Sequence, residues 1–141
     1  MAPTTGTLSA RRTSDPILTT VRVFAVLTVV NLLWQFVTAG EFIGPAGDEA
    51  WEAPHATGAI VLHVVSGLAM IAAFALWRLR GAALWPAATA LVVFVLSFVQ
   101  AYFGMGSTMW IHVPGASILT IGAVAVAVWS FLPQAVTGAS R

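Results

Sequence analysis

Residues 81–140, GAALWPAATALVVFVLSFVQAYFGMGSTMWIHVPGASILTIGAVAVAVWSFLPQAVTGAS, contain no Asp, Glu, Lys or Arg. Sixty uncharged and largely apolar residues are too many for one membrane crossing, which takes about 20, and suit two. The break falls at Gly104-Met105-Gly106-Ser107-Thr108, where Ser107 or Thr108 suits a helix N-cap. This predicts spans over about 82–103 and 109–132, the second ended by Pro133 and Gly138.

Working back from Gly81, the segment Arg78-Leu79-Arg80-Gly81 reads as a tight basic connection. Before it a third apolar run starts near Pro54, tolerated in a first helical turn whose N–H has no partner, and continues to Trp77. Residues 40–54 hold turn-forming Gly and Pro together with Glu41, Asp48, Glu49 and Glu52, and read as an acidic loop. The first run, about 17–39, includes 18 uncharged residues from Val23 to Gly40 with no cleavage signal ending a shorter core, so it reads as a retained span. Residues 1–16 are small and polar and read as a disordered tail, and 133–141 as a short second tail.

The expected fold is therefore all-α: a polytopic membrane four-helix bundle with up-down-up-down topology, spans about 17–39, 54–77, 82–103 and 109–132, and left-handed packing. Composition agrees. Of 141 residues, 59% are apolar and 8% charged, and the mean hydropathy is +0.91. Soluble domains carry about 25% charged residues. The chain lacks cysteine, which excludes thiolate metal sites and disulfides. A net charge of +1 and the lack of nucleotide-binding motifs give no reason to expect nucleic acid. With four spans, Arg11, Arg12, Arg22, Arg78, Arg80 and Arg141 fall on one side, so the positive-inside rule puts both termini in the cytoplasm of a bacterial-type plasma membrane. Trp34, Trp51 and Trp110 then mark the outer edge and Trp77, Trp85 and Trp129 the inner edge.

A second pattern lies inside the bundle. His55-Ala56-Thr57-Gly58-Ala59-Ile60-Val61-Leu62 and His112-Val113-Pro114-Gly115-Ala116-Ser117-Ile118-Leu119 share His, Gly, Ala and Leu at matching places. Each follows a Gln with a small residue four places on, Gln35…Ala39 and Gln100…Gly104. This reads as an internal two-helix repeat.

Few polar side chains remain in the apolar layer: Asn31, Gln35, His63, Gln100 and His112, with His55 at its rim. Each needs a partner, because lipid offers none. The second and fourth spans run in one direction, so His55 and His112 meet the same face at similar depth. Two imidazoles facing across a bundle suit a haem iron, here haem b, with about 4 Å between the liganding nitrogens. Gly58 and Gly115, one turn beyond each His, leave room for a flat macrocycle. The same residues also fit plain helix packing, with polar groups joining helices and small residues permitting close approach. His63, about 12 Å deeper than His55, is an alternative ligand or a hydrogen-bonded core residue. Gln35 and Gln100 suit interhelical hydrogen bonds as well as cofactor contacts. Glu52 stands three residues before His55 and is the one acid placed to orient that ring or exchange protons with it.

The order Gln, linker, His at the start of the next span, used twice, resembles one four-helix half of the heme A synthase family. In that family each half places a His pair near the outer face to bind haem. Glu52-Ala53-Pro54-His55 is similar to its Glu-x-x-His element, and His112-Val113-Pro114-Gly115-Ala116 to its fourth-span His followed by small residues. The chain is also similar to uncharacterised small bacterial four-span membrane proteins with a Gln…Ala-Gly…His-x-x-Gly pattern. The resemblance covers about residues 23–132. This chain has a single bundle, Ala56 where the family has Arg, and no Cys pair in the outer loop. The resemblance thus implies a haem-binding bundle rather than the synthase reaction.

Three functions stay open on the sequence: a cytochrome b-like haem protein for electron transfer or haem handling; a cofactor-free accessory or scaffold subunit of a larger membrane complex; and a small-solute or proton pathway along His63, Gln35 and Gln100. Expected partners are the lipid bilayer, a larger complex or redox partner, and a second copy in a homodimer. No residue besides Glu52 stands out as a nucleophile or general acid, so no enzyme activity is assigned.

Overall fold

The computed structural model describes residues 15–135 except Ala46 and Met105; of the expected tails at 1–16 and 133–141, residues 1–14 and 136–141 lie outside the described residues, whereas Asp15 and Pro16 begin the first helix and Ala135 is buried. Four helices follow in chain order: α1 (Pro16–Ile43), α2 (Glu52–Arg80), α3 (Leu84–Phe103) and α4 (Met109–Phe131). Short 3-10 turns at Glu49–Trp51 and Gly106–Thr108 lead into α2 and α4. All four helices are long and apolar enough to cross a membrane. Each helix packs on its neighbours in sequence and α4 closes against α1, so α2 and α4 stand on one diagonal. This is the up-down-up-down bundle read from the sequence, and it belongs to a small multi-pass membrane protein.

Helix ends follow local chemistry. Asp15 caps α1: its carboxylate accepts from the amides of Ile17 and Leu18, with Pro16 in the first turn. α1 runs on through Gly40 to Ile43, four residues past the expected end, and stops at Gly44, whose following Pro45 disfavours helix. α2 starts at Glu52, which places Pro54 in its first turn. It ends at Gly81, whose φ is 66° and whose amide donates to the Trp77 carbonyl at 3.1 Å. A glycine takes that left-handed conformation without a Cβ penalty. Thr108 does stand at the N-cap of α4. Its hydroxyl, however, donates to the Phe103 carbonyl at 2.7 Å and so fastens α4 to the end of α3.

The interior is rich in small residues. Ala25, Ala69, Ala72, Ala73, Ala87, Ala90, Ala123 and Ala127 are buried, whereas Ile60, Ile71, Ile118 and Ile121 are exposed. In lipid the hydrophobic effect does not sort large apolar side chains inward, so close backbone approach decides the interior. Buried hydroxyls bond within their own helices, Thr28 to Phe24, Ser66 to Leu62, Ser97 to Phe94 and Ser130 to Ala127. At the bundle centre the small residues leave a void of about 10 Å³, lined among others by Thr28, Ser66, Val93 and Ala123. That is room for one water. Leu32, Leu62 and Leu119 with Val93 and Ala123 form a separate apolar cluster.

The two ends of the bundle differ. At the end where α1 begins, Arg80 Nε pairs with Asp15 Oδ2 at 2.7 Å, joining the C-terminus of α2 to the N-terminus of α1. Each charge suits the helix terminus that it meets. Burial raises the Asp15 pKa, but the amides of Leu18 and Ile17 and the Arg80 guanidinium outweigh it and hold the carboxyl below its usual value. Arg22 Nε donates to the Ser130 carbonyl at 2.9 Å, and its guanidinium lies 5.1 Å from the Phe131 ring centre. The first contact satisfies a carbonyl of the last helical turn, and the second is a cation–π approach. Arg78 joins them at this end, while Glu41, Asp48, Glu49 and Glu52 occupy the other. Trp129, expected at the membrane edge, is buried and packs its edge on Trp85 at 5.9 Å; Trp85 and Trp110 are exposed.

Candidate functional site

The acidic end carries the two repeated His stretches, and the fold brings their rings together. His55, in the first turn of α2, and His112, in the first turn of α4, have ring centres 6.5 Å apart with planes inclined 63°. Both are half-buried. Their convergence follows from topology: α2 and α4 run in the same direction on one diagonal, and each His sits just inside its helix start.

Each ring is held at Nδ1 by the preceding helix. His112 Nδ1 lies 2.9 Å from the Gln100 carbonyl oxygen in α3. A carbonyl only accepts, so Nδ1 donates to it. His55 Nδ1 lies 2.9 Å from Thr38 Oγ1 in α1. The Thr38 hydroxyl is itself 3.1 Å from the carbonyls of Trp34 and Gln35, which take its proton. With that proton so placed, the Thr38 oxygen is open to accept from His55 Nδ1. The two imidazoles thus meet with both Nδ1 atoms engaged by the neighbouring helices.

The glutamines and glycines of the repeat interlock. Gln35 Nε2 donates to the His55 carbonyl at 3.1 Å, an interhelical hydrogen bond of the kind its position suggested. The same amide lies over Gly58, where an added Cβ would collide with it. Gln100 lies over Gly115 in the same way. The missing side chains therefore admit glutamine amides, so the space that the sequence suggested for a macrocycle at Gly58 and Gly115 is filled from α1 and α3. Gly104 lets His112 approach closely, with a Cβ there 3.2 Å from its Cε1.

The remaining repeat positions agree: Leu62 and Leu119 are both buried, and Val61 and Ile118 both face outward. His63 does not join the pair. Its ring stacks on Phe98 of α3 at 3.9 Å with planes 1° apart, and its buried Nε2 has no hydrogen-bond partner. Asn31 Oδ1 and Gln100 Oε1 are likewise buried without partners. Glu52 is exposed and makes no ion pair with His55. Among the described residues no group of three His, Cys, Asp or Glu side chains is placed to hold a metal ion.

Sequence reasoning missed Thr38. Its signal is present, since Asn31, Gln35 and Thr38 follow helical spacing along one face of α1. The repeat does not flag the position, because the second copy has Phe103 three places after its Gln. Comparison with family models, curated proteins and solved structures finds no match.

Proposed function

We propose that this chain is a small b-type haem-binding membrane protein, in which His55 and His112 would hold the haem at the acidic end of the bundle. The observation that carries the reading is the pair of facing imidazoles with both Nδ1 atoms engaged. A metal between two imidazole nitrogens, bonded at roughly 2 Å with ring centres roughly 1 Å behind, separates the centres by about 6 Å. The 6.5 Å between these two rings fits that spacing. With Nδ1 engaged on each ring, neutral His55 and His112 would offer Nε2 to a metal, and the Nδ1 partners would raise ligand basicity. With no third protein donor at hand among the described residues, a bare zinc or copper ion would be poorly held, whereas a macrocycle supplies its own four nitrogens. Bound there, haem b would supply one-electron chemistry, and two imidazole ligands would favour electron transfer or haem holding over oxygen activation. The resemblance to one half of heme A synthase supports the same reading. The Arg distribution supports an outer-face site, with both termini cytoplasmic in a bacterial-type plasma membrane.

The chain's own residues have definite tasks in this scheme. His55 and His112 bind, Thr38 and the Gln100 carbonyl orient the rings, and the Leu32, Leu62 and Leu119 cluster keeps water from the deeper bundle. Gln35 and Gln100 would shift from Gly58 and Gly115 if those faces took part in binding.

One observation favours a second reading. The amides filling Gly58 and Gly115 close the repeat into a packed polar layer, as in a cofactor-free accessory or scaffold subunit of a larger membrane complex. The visible spectrum of the detergent-purified protein separates the two. A Soret band that is lost in His55→Ala and in His112→Ala, and kept in His63→Ala, supports haem binding. Colourless protein from haem-replete cells that takes up no added haem overturns it.

A further inference from the structure

The two imidazoles are oriented by different chemistry. His112 is tied to the Gln100 backbone carbonyl, which no side-chain substitution removes. His55 is tied to one side chain, the hydroxyl of fully buried Thr38. A hydroxyl can donate or accept, so it imposes a tautomer only if its own proton is committed elsewhere. Here it is committed: Thr38 Oγ1 lies 3.1 Å from two carbonyls of the preceding turn, Trp34 and Gln35. Gln35 in turn donates to the His55 carbonyl, so one turn of α1 grips the first turn of α2 by both its backbone and its ring.

We infer that Thr38 is the positioning residue of the site: it holds His55 as the Nδ1–H tautomer and thereby keeps Nε2 available as a ligand. The inference rests on the haem reading for its purpose, but the tautomer exists in the unloaded protein and is measured there. Without the hydroxyl, neither nitrogen of His55 has a fixed partner. The ring then samples both tautomers, and in one of them Nε2 carries a proton and cannot ligate.

The test uses the full chain in detergent micelles, uniformly labelled with ¹⁵N and free of haem, with the ring nitrogens read by long-range ¹H–¹⁵N correlation NMR. In the wild type, His55 and His112 should both show a protonated Nδ1 and a bare Nε2. Thr38→Val should convert His55 to a tautomer mixture while His112, held by backbone, stays unchanged; Thr38→Ser should restore the wild-type pattern. In a separate haemin titration, Thr38→Val should bind about 10- to 100-fold more weakly than wild type and Thr38→Ser nearly as well. A wild-type His55 with its proton on Nε2 overturns the inference, and needs no variant to fold. So does a Thr38→Val protein whose His55 tautomer is unaltered. Wild-type protein that binds no haemin overturns the haem reading alone, and the tautomer result then decides the role of Thr38.

Discussion

The first half of the molecule, α1 with α2, and the second, α3 with α4, are two copies of one plan executed with different fastenings. In both, a Gln amide sits over a Gly one turn beyond a His, and the His Nδ1 bonds back to the helix bearing that Gln. In the first half the Gln amide also bonds the next helix, and a Thr hydroxyl holds the ring. In the second half the Gln100 Oε1 has no partner and a backbone carbonyl holds the ring. The basic end differs as well. The first half is clasped by its own Asp15–Arg80 pair, while the end of α4 is capped by Arg22 of α1. The repeat therefore keeps shape, the fit of amide to glycine, and leaves hydrogen bonding to each copy. Packing requires both surfaces at once, whereas any acceptor within reach can satisfy an imidazole N–H.

Filling the glycine gap gives the largest effect and the sharpest trial of the shared plan. Gly58→Val and Gly115→Val should each destabilise the bundle by about 3 kcal/mol, because the amide above must leave its seat. Denaturant unfolding in mixed micelles measures this. A cost at only one site would break the equivalence of the halves.

The clasp at the basic end comes next. Asp15→Ala should cost about 1 kcal/mol through loss of the α1 cap. The folded state lowers the Asp15 pKa, so the carboxylate's stabilisation is present at neutral pH and fades as pH falls through its folded value. Thermal midpoints should fall on acidification in the wild type and fall less in Asp15→Ala. Parallel curves would remove Asp15 from the account.

The smallest effect separates the two glutamines. Gln35→Leu loses an interhelical hydrogen bond and should cost about 0.6 kcal/mol, while Gln100→Leu loses an amide with an unpaired oxygen and should cost about zero. Equal costs in the same unfolding assay would mean that the halves are fastened alike.

The meeting of the two histidines is legible in the sequence. His55 and His112 pair on two facts, their matching places in the repeat and the shared direction of the second and fourth spans. The roles of Gly58 and Gly115 were not legible. A glycine in a sequence says that something approaches closely, but not whether it comes from a ligand or from the neighbouring helix. His63 shows the same limit: its residue type suited a ligand, and only the facing helix put Phe98 against its ring.

What the sequence by itself determined is the number of helices, their alternation and the end at which the histidines lie. Those depend on hydropathy and charge along the chain, which lipid reads locally. What only the tertiary structure decided is which group meets each imidazole Nδ1, which side chain fills each glycine gap, and that Thr38 lies against His55. These depend on contacts between residues as far apart as 17 and 20 positions, set by how two helices rotate about their axes, and local pattern carries no record of that rotation.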